Sequence, residues 1–269
     1  MYRGLYMKVI ILAAGKGTRL NKYTQDMPKG MLKVFDKPLI MHQVETYKRL
    51  GVNDVTVIAG YQNEKINIPE VNIVINHDYG STNMVESLFC AADKIDGDVI
   101  ISYGDIIFEE RICRDIIDFS GDIGVAVDID WKDYWIARYG RVDYDIESLS
   151  IKGEQILELG FDNPNIDNID GRYVGMIRLN AKGAEIFKHN YFSNKKMYYR
   201  KIWKNKRTFE NIFMTDFLMY LIEKGIAINP IIVKRGWLEF DTNEDYELVE
   251  KLYNNKSLEK IYKSEWKAV

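Results

Sequence analysis

The sequence predicts an α/β protein built on a mixed, mainly parallel central sheet flanked by helices. Three observations predict it. Short β-branched apolar runs recur through the first half without polar alternation, the pattern of strands covered on both faces. Helical segments lie between those runs, as parallel strands require of their connections. No Pro- or Ser-rich linker, internal repeat or low-complexity tract interrupts the 269 residues, so a single domain spanning 1–269 is expected.

The elements follow in order. The first strand is read at 8–13, where Lys8-Val9-Ile10-Ile11-Leu12 runs into the small residues Ala13-Ala14-Gly15. A helix is expected over 38–50, opening at Pro38 and ended by Gly51. Strands at 55–59 and 71–75 come next, then a helix over 84–92 and a strand at 98–103 that ends in Gly104-Asp105. Beyond about residue 121 the strands shorten, with runs around 123–129, 149–160 and 173–179. A helix over 209–224 and a strand at 228–234 precede Trp237 to Asp241, which returns to the active region. Sheets of this kind gather their ligands at the C-terminal ends of the strands.

Composition narrows the function. Hydrophobic residues make up 46% and charged residues 29%, the balance of a soluble globular chain. The net charge is -3, from 37 basic and 40 acidic residues, which argues against a nucleic-acid partner. Any anion site must therefore concentrate its cations locally. Two cysteines, Cys90 and Cys113, exclude a disulfide scaffold and fit a reducing cytoplasm. The three histidines, His42, His77 and His189, have no metal-ligand spacing. No apolar run approaches the ~20 residues of a membrane span, no signal peptide is recognisable, and Met7 is a candidate start. A cytoplasmic protein without nucleic-acid or membrane partners is expected, with a homodimer left open.

The chemistry begins in "LAAGKGTRL" at 12–20. Leu12, Ala13, Ala14, Gly15 and Gly17 bring little bulk to a turn whose N–H groups can lie against a phosphate chain. Lys16 adds a cation, Thr18 a hydroxyl and Arg19 a forked cation, so a nucleoside triphosphate or another polyphosphate is the first expectation. "PKGML" at 28–32 and "DKPLI" at 36–40 follow in order. Together the pieces resemble the signature of the nucleotidyltransferase (nucleoside diphosphate sugar pyrophosphorylase) superfamily. The resemblance implies a Rossmann-like nucleotidyltransferase fold in which the turn wraps the triphosphate. It also implies that Lys16 and Arg19 neutralise the triphosphate, and that Lys29 binds the acceptor phosphate or the α-phosphate. On this basis residues 8–120 form mainly the nucleotide-binding half and 121–235 mainly the acceptor-binding half. Residues 236–269 supply the metal-ligand strand and C-terminal helices.

Asp105 in "ISYGDIIF" and Asp241 in "GWLEFDTNEDY" occupy places where superfamily members set one aspartate each. The resemblance therefore assigns them Mg²⁺, a hard cation that takes oxygen ligands. Glu239 lies two residues before Asp241, on the same strand face, and is a candidate to assist or to bind acceptor. "YGSTNMVESLFCA" at 79–91 stands where the superfamily meets the base. Gly80, Ser81 and Thr82 offer a polar surface there, and Asn83 and Ser87 are spaced i, i+4 at a helix start; a plain N-cap is the competing reading of Asn83. "TNM" departs from the G-T-A of the sugar enzymes and resembles the phosphocholine-type and phosphonate-type cytidylyltransferases, which implies CTP.

"VDIDWKDYWIARYG" at 127–140 allows two acceptor sites. Trp131 and Trp135 with Asp128 suit a cage for an amine, and Arg138 suits a carboxylate or phosphate. Helical core packing is the third reading of these aromatics. Gly175 in "GRYVGMIRLN" belongs to the same acceptor region. Nearly the whole chain resembles cytidylyltransferases of surface-polysaccharide and phosphonate pathways. This implies Mg²⁺-dependent transfer of CMP from CTP to a small phosphorylated, phosphonate or phosphoramidate acceptor such as phosphoglutamine, with release of pyrophosphate. Phosphocholine, a sugar 1-phosphate with UTP or dTTP, and a nucleotide-binding regulatory protein are the alternatives. A phosphate acceptor is already anionic near neutral pH, so the transfer needs no catalytic histidine.

Overall fold

A computed structural model describes residues 6–262. Seven strands form the central sheet: β1 (Lys8–Ala13), β2 (Asp54–Ala59), β3 (Asn72–Ile75), β4 (Val99–Tyr103), β5 (Ile123–Asp128), β6 (Arg172–Leu179) and β7 (Asn229–Val233). Their spatial order is β7-β5-β6-β4-β1-β2-β3. Strand β6 runs antiparallel to β4 and β5, and the other pairings are parallel. This is the mixed, mainly parallel sheet that the sequence predicts.

The strands look uniformly apolar because both faces are covered. Val9, Ile11, Val57, Ile100 and Ala126 point into one core, while Ile10, Ile58, Ile101, Val125 and Ile177 point into the other. The first core is closed by α1 (Leu39–Arg49), α3 (Glu110–Asp118), α4 (Trp131–Tyr139) and α7 (Asn243–Asn254). The second is closed by α2 (Met84–Phe89), α5 (Ala181–Tyr198) and α6 (Met214–Glu223). Among the described residues, no helix is long and apolar enough to cross a membrane.

Two expected elements need correction. The run at 149–160 is a hairpin, Glu147–Lys152 paired antiparallel with Gln155–Asp162. It turns at Gly153, whose φ of +61 is a left-handed conformation open to glycine. The segment 209–224 is broken into a single turn, Phe209–Asn211, and α6, because Asp216 Oδ2 accepts the Phe213 N–H at 2.8 Å and starts the helix there. Helices α3 and α5 have no counterpart among the elements read from sequence. In α5 the buried positions, such as Ala184, Phe187 and Tyr191, are diluted by lysines and asparagines.

Candidate active site

Strand β1 delivers the glycine turn to the C-terminal edge of the sheet. Gly17 has a φ of +63, and a Cβ there would stand 3.0 Å from the Cβ of Lys29. Both the backbone conformation and the approach of Lys29 require glycine. A Cβ on Gly15 would meet nothing within 4 Å, because that position faces a cavity. Leu12, Ala13, Ala14, Gly15 and Gly17 line this cavity together with Thr82, Asn83, Met84 and Ser87 from the start of α2, and with Lys29 and Asp105.

Two short strands bring the sequence-distant aspartates together. Trp237–Glu239 pairs antiparallel with Ile106–Phe108, and the Phe240 N–H donates to the Asp105 carbonyl at 3.0 Å. Lys29 Nζ then donates to Asp105 Oδ2 and to Asp241 Oδ1, each at 2.6 Å. The turn carrying Lys29 is seated on α1, since a Cβ on Gly30 would come 2.4 Å from Ile40 Cδ1. Gln43 of α1 holds the Asp105 side. Its buried Nε2 donates to the carbonyls of Tyr103 and Ile106 at 2.7 and 2.8 Å, and its Oε1 accepts from Ser102 Oγ at 2.8 Å. Arg19, largely exposed, reaches Asp241 Oδ2 at 3.2 Å. Lys16 is exposed over the Tyr61 ring, 5.5 Å from its centroid.

Burial and pairing set the charges. Burial opposes the Asp241 carboxylate, but Lys29 beside it outweighs that and holds the carboxyl below its ordinary value. Burial likewise opposes the Lys29 ammonium, and Asp105 with Asp241 keeps it charged above the usual lysine range. Glu239 moves the other way: burial, then the adjacent Asp241, pushes its carboxyl up, while Arg138 pulls it down.

Asp105 and Asp241 suit a divalent cation. Asp105 Oδ1 is buried without a hydrogen-bond partner, an oxygen left free for a ligand. Mg²⁺ is commonly held by one or two carboxylates together with substrate phosphates. Among the described residues no cluster of three or more metal-binding side chains exists, so phosphate and water oxygens would complete the shell.

A second cavity shares Met84 and Tyr103 with the first, and Arg19, Glu239 and Asp241 line it. The Lys29–Asp105–Asp241 cluster therefore stands where the two cavities meet. Gly175 also lines the second cavity; its φ is +86, and a Cβ would come 2.9 Å from the Tyr103 ring.

Other predicted site residues are placed elsewhere. Trp131 and Trp135 are each 1% exposed, so neither can form a cage. They pack edge to face with each other in the core, and Tyr134 and Trp237 surround them. Asp128 is fully buried and accepts from Trp237 Nε1 and from the N–H groups of Asp130 and Arg235. The aromatic spacing is the inward face of α4. Arg138 does not reach the cavity either. Its side chain is 1% exposed and donates to Glu239 at 2.5 Å and to the two oxygens of Asp245 at 2.8 and 2.9 Å. A buried guanidinium must be paired, and this one is paired internally.

On the nucleotide side, Gly80 and Ser81 sit in an exposed turn outside both cavities, and Thr18 lines a separate recess with Lys16 and Tyr61. Thr82, Asn83 and Ser87 do line the first cavity, and Asn83 Oδ1 also accepts from the Met84 N–H at 2.8 Å. The N-cap reading of Asn83 holds, and the residue also lines the cavity. Sequence reasoning missed Gln43, Glu147 and Arg172. Gln43 had one available signal, a polar residue on the apolar face of α1 formed by Leu39, Ile40, Val44 and Tyr47.

Known proteins share this architecture. The MobA-like NTP transferase domain matches residues 9–142. CTP:phosphoglutamine cytidylyltransferase of Campylobacter jejuni is 32% identical over 257 residues, covering 90% of this chain and 98% of that protein. Choline-phosphate cytidylyltransferase of Streptococcus pneumoniae is 32% identical over 54% of this chain and 64% of its own length. The solved structure of CTP:phosphocholine cytidylyltransferase from Streptococcus pneumoniae has the same fold, with a TM-score of 0.63 at 20% identity over 92% of this chain and 99% of that one. With the glycine turn, the lysine and the paired aspartates at the sheet's edge, the chain belongs to the MobA-like NTP transferase family and is a nucleotidyltransferase.

Proposed function

We propose that the protein transfers CMP from CTP to a small phosphorylated acceptor, such as phosphoglutamine, and releases pyrophosphate. The observation that carries this reading is the position of Lys29, Asp105 and Asp241 at the junction of two cavities. One cavity is walled by a phosphate-friendly turn and the other by charged side chains, so two substrates can meet at the cluster.

In the reaction an oxygen of the acceptor phosphate attacks the α-phosphorus of CTP. The bond from that phosphorus to the bridging oxygen breaks, and pyrophosphate leaves with the electron pair. The acceptor phosphate has its second pKa near ~6, so it arrives as a nucleophile and no side chain has to remove a proton. The N–H groups of the glycine turn cradle the phosphates, while Lys16, Arg19 and Lys29 offset their charge. Asp105 and Asp241 would hold Mg²⁺, which polarises a phosphoryl oxygen and orients the leaving group. A cytoplasmic role in surface-polysaccharide or phosphonate biosynthesis goes with this reading.

On this reading Thr82, Asn83 and Ser87, which line the first cavity, read the base. Cytosine presents an N4 donor and an N3 acceptor where uracil reverses both, and a buried mismatch of that kind is costly. Pyrophosphate release measured with CTP, UTP, dTTP and ATP tests this. Strong preference for CTP is expected, and equal turnover with UTP would contradict it.

A further inference from the structure

The second cavity carries two opposite charges, Arg172 and Glu147, whose side chains make no hydrogen bond or ion pair among the described residues. Arg172 opens β6, and its Cζ lies 4.4 Å from the Trp135 ring centroid. Its Nε is buried without a hydrogen-bond partner, and among the described residues no carboxylate oxygen lies within 4.0 Å of its nitrogens. Glu147 opens the first strand of the hairpin and lines the same cavity, and its carboxylate makes no hydrogen bond or ion pair among the described residues. Burial makes both charges harder to hold, lowering the Arg172 pKa and raising that of Glu147, and the attraction between the two offsets this only in part. Unpaired charges in a buried setting cost stability, and a ligand bearing the complementary charges would relieve both.

The internal partners of Arg138 make the contrast useful. Two guanidiniums flank Trp135, and one is saturated by Glu239 and Asp245 while the other is open. The acceptor's phosphate belongs at Lys29 and Arg19, so an anion taken by Arg172 is a second one. We infer that Arg172 and Glu147 read a zwitterionic acceptor, Arg172 binding a carboxylate and Glu147 an ammonium of a phosphorylated amino acid or amino-acid amide. This rests on the nucleotidyl-transfer reading above. A planar fork suits a carboxylate through two parallel hydrogen bonds. A choline-type acceptor would leave Arg172 unpaired, and a sugar phosphate would leave both residues unpaired.

Matched acceptors test the inference. Turnover with CTP and Mg²⁺ is measured for L-glutamine phosphorylated on its side-chain amide nitrogen, for its analogue lacking the α-carboxylate, for its analogue lacking the α-amine, and for glucose 1-phosphate. Loss of either charge is expected to lower kcat/KM roughly tenfold or more. Arg172→Gln is expected to raise KM roughly tenfold for the carboxylate-bearing acceptors and to leave the decarboxylated analogue within about twofold. Glu147→Gln should show the mirror image, sensitive to the amine alone. Arg172→Lys keeps a cation and should recover part of the loss, which separates recognition from folding. An Arg172→Gln effect of the same size on the decarboxylated analogue would put Arg172 on the phosphate and overturn the inference. Equal kcat/KM for all acceptors would overturn it too, while leaving nucleotidyl transfer intact. Absence of pyrophosphate release with every acceptor would instead remove the underlying reading.

Discussion

The two cavities that meet at Lys29 are built in opposite ways. The first joins the contiguous turn Leu12 to Gly17, mostly small residues, to the start of α2 and to Tyr79, Tyr103, Lys29 and Asp105. The second is made of long side chains drawn from β6, the hairpin, the start of α6 and the strand at Trp237–Glu239. Backbone donors hold phosphate whatever else the substrate carries, so the first cavity suits the part of the reaction shared across the family. Side chains can be exchanged without disturbing that turn, so the second suits the acceptor. On the proposed reading, the common chemistry lies on one side of Asp105 and Asp241 and the selectivity on the other.

The largest expected effect lies at the junction. Asp105→Asn and Asp241→Asn should each lower turnover roughly 10²–10³-fold while the fold persists, since each removes charge from the position proposed for transfer. EDTA should abolish activity and added Mg²⁺ should restore it. Rates near wild type for both variants at saturating Mg²⁺ would dissolve the junction as the reactive centre. Next comes the pair of arginines around Trp135. Arg138→Ala strands Asp245 and Glu239, and urea unfolding should show a loss of about 3–5 kcal/mol, the cost of breaking a buried pair. Arg172→Gln should cost far less, because among the described residues Arg172 has no hydrogen-bonded carboxylate to strand. The reverse order would place Arg138 in the acceptor cavity after all.

A smaller effect distinguishes the two glycines of the turn. Gly17→Ala forces a left-handed alanine against Lys29 and should cost about 1–2 kcal/mol of stability. Gly15→Ala faces open space, so it should leave stability nearly unchanged and raise the KM for CTP instead. The smallest effect lies away from both cavities. His42 is buried with its Nε2 2.7 Å from the Val34 carbonyl, and burial lowers its pKa. The unfolded chain then binds the proton more readily than the folded one. Stability should fall as pH drops below ~6.5, the unfolded value, and His42→Gln should flatten that slope. An unchanged slope in the variant would assign the acid sensitivity to other groups.

The first cavity was largely legible in the sequence and the second was not. A turn written in adjacent residues keeps its geometry wherever it occurs, so "LAAGKGTRL" announced a small-residue turn that the structure sets at the wall of a cavity. The paired aspartates needed the family resemblance, because nothing in the intervening residues says that Phe240 will bond to Asp105. In the acceptor half the same letters fit two environments. Trp131, Trp135 and Arg138 have the spacing of an inward helix face, and only the partners Glu239 and Asp245 show that the arginine points inward as well. Arg172 and Glu147 each begin a strand, and strand pattern alone does not tell which end overlooks a cavity. The hairpin that presents Glu147 was itself read as one strand, since the left-handed turn at Gly153 leaves no mark beyond a single glycine.

A crystal structure with CTP and Mg²⁺ bound would test the central claim most directly. The account predicts the cytosine beside Thr82, Asn83 and Ser87, the phosphates along Gly15 to Gly17, and the α-phosphate at Lys29 between Asp105 and Asp241, with the Arg172 cavity still free for acceptor. A nucleotide seated against Arg172 and Glu147, with the glycine turn empty, would contradict it.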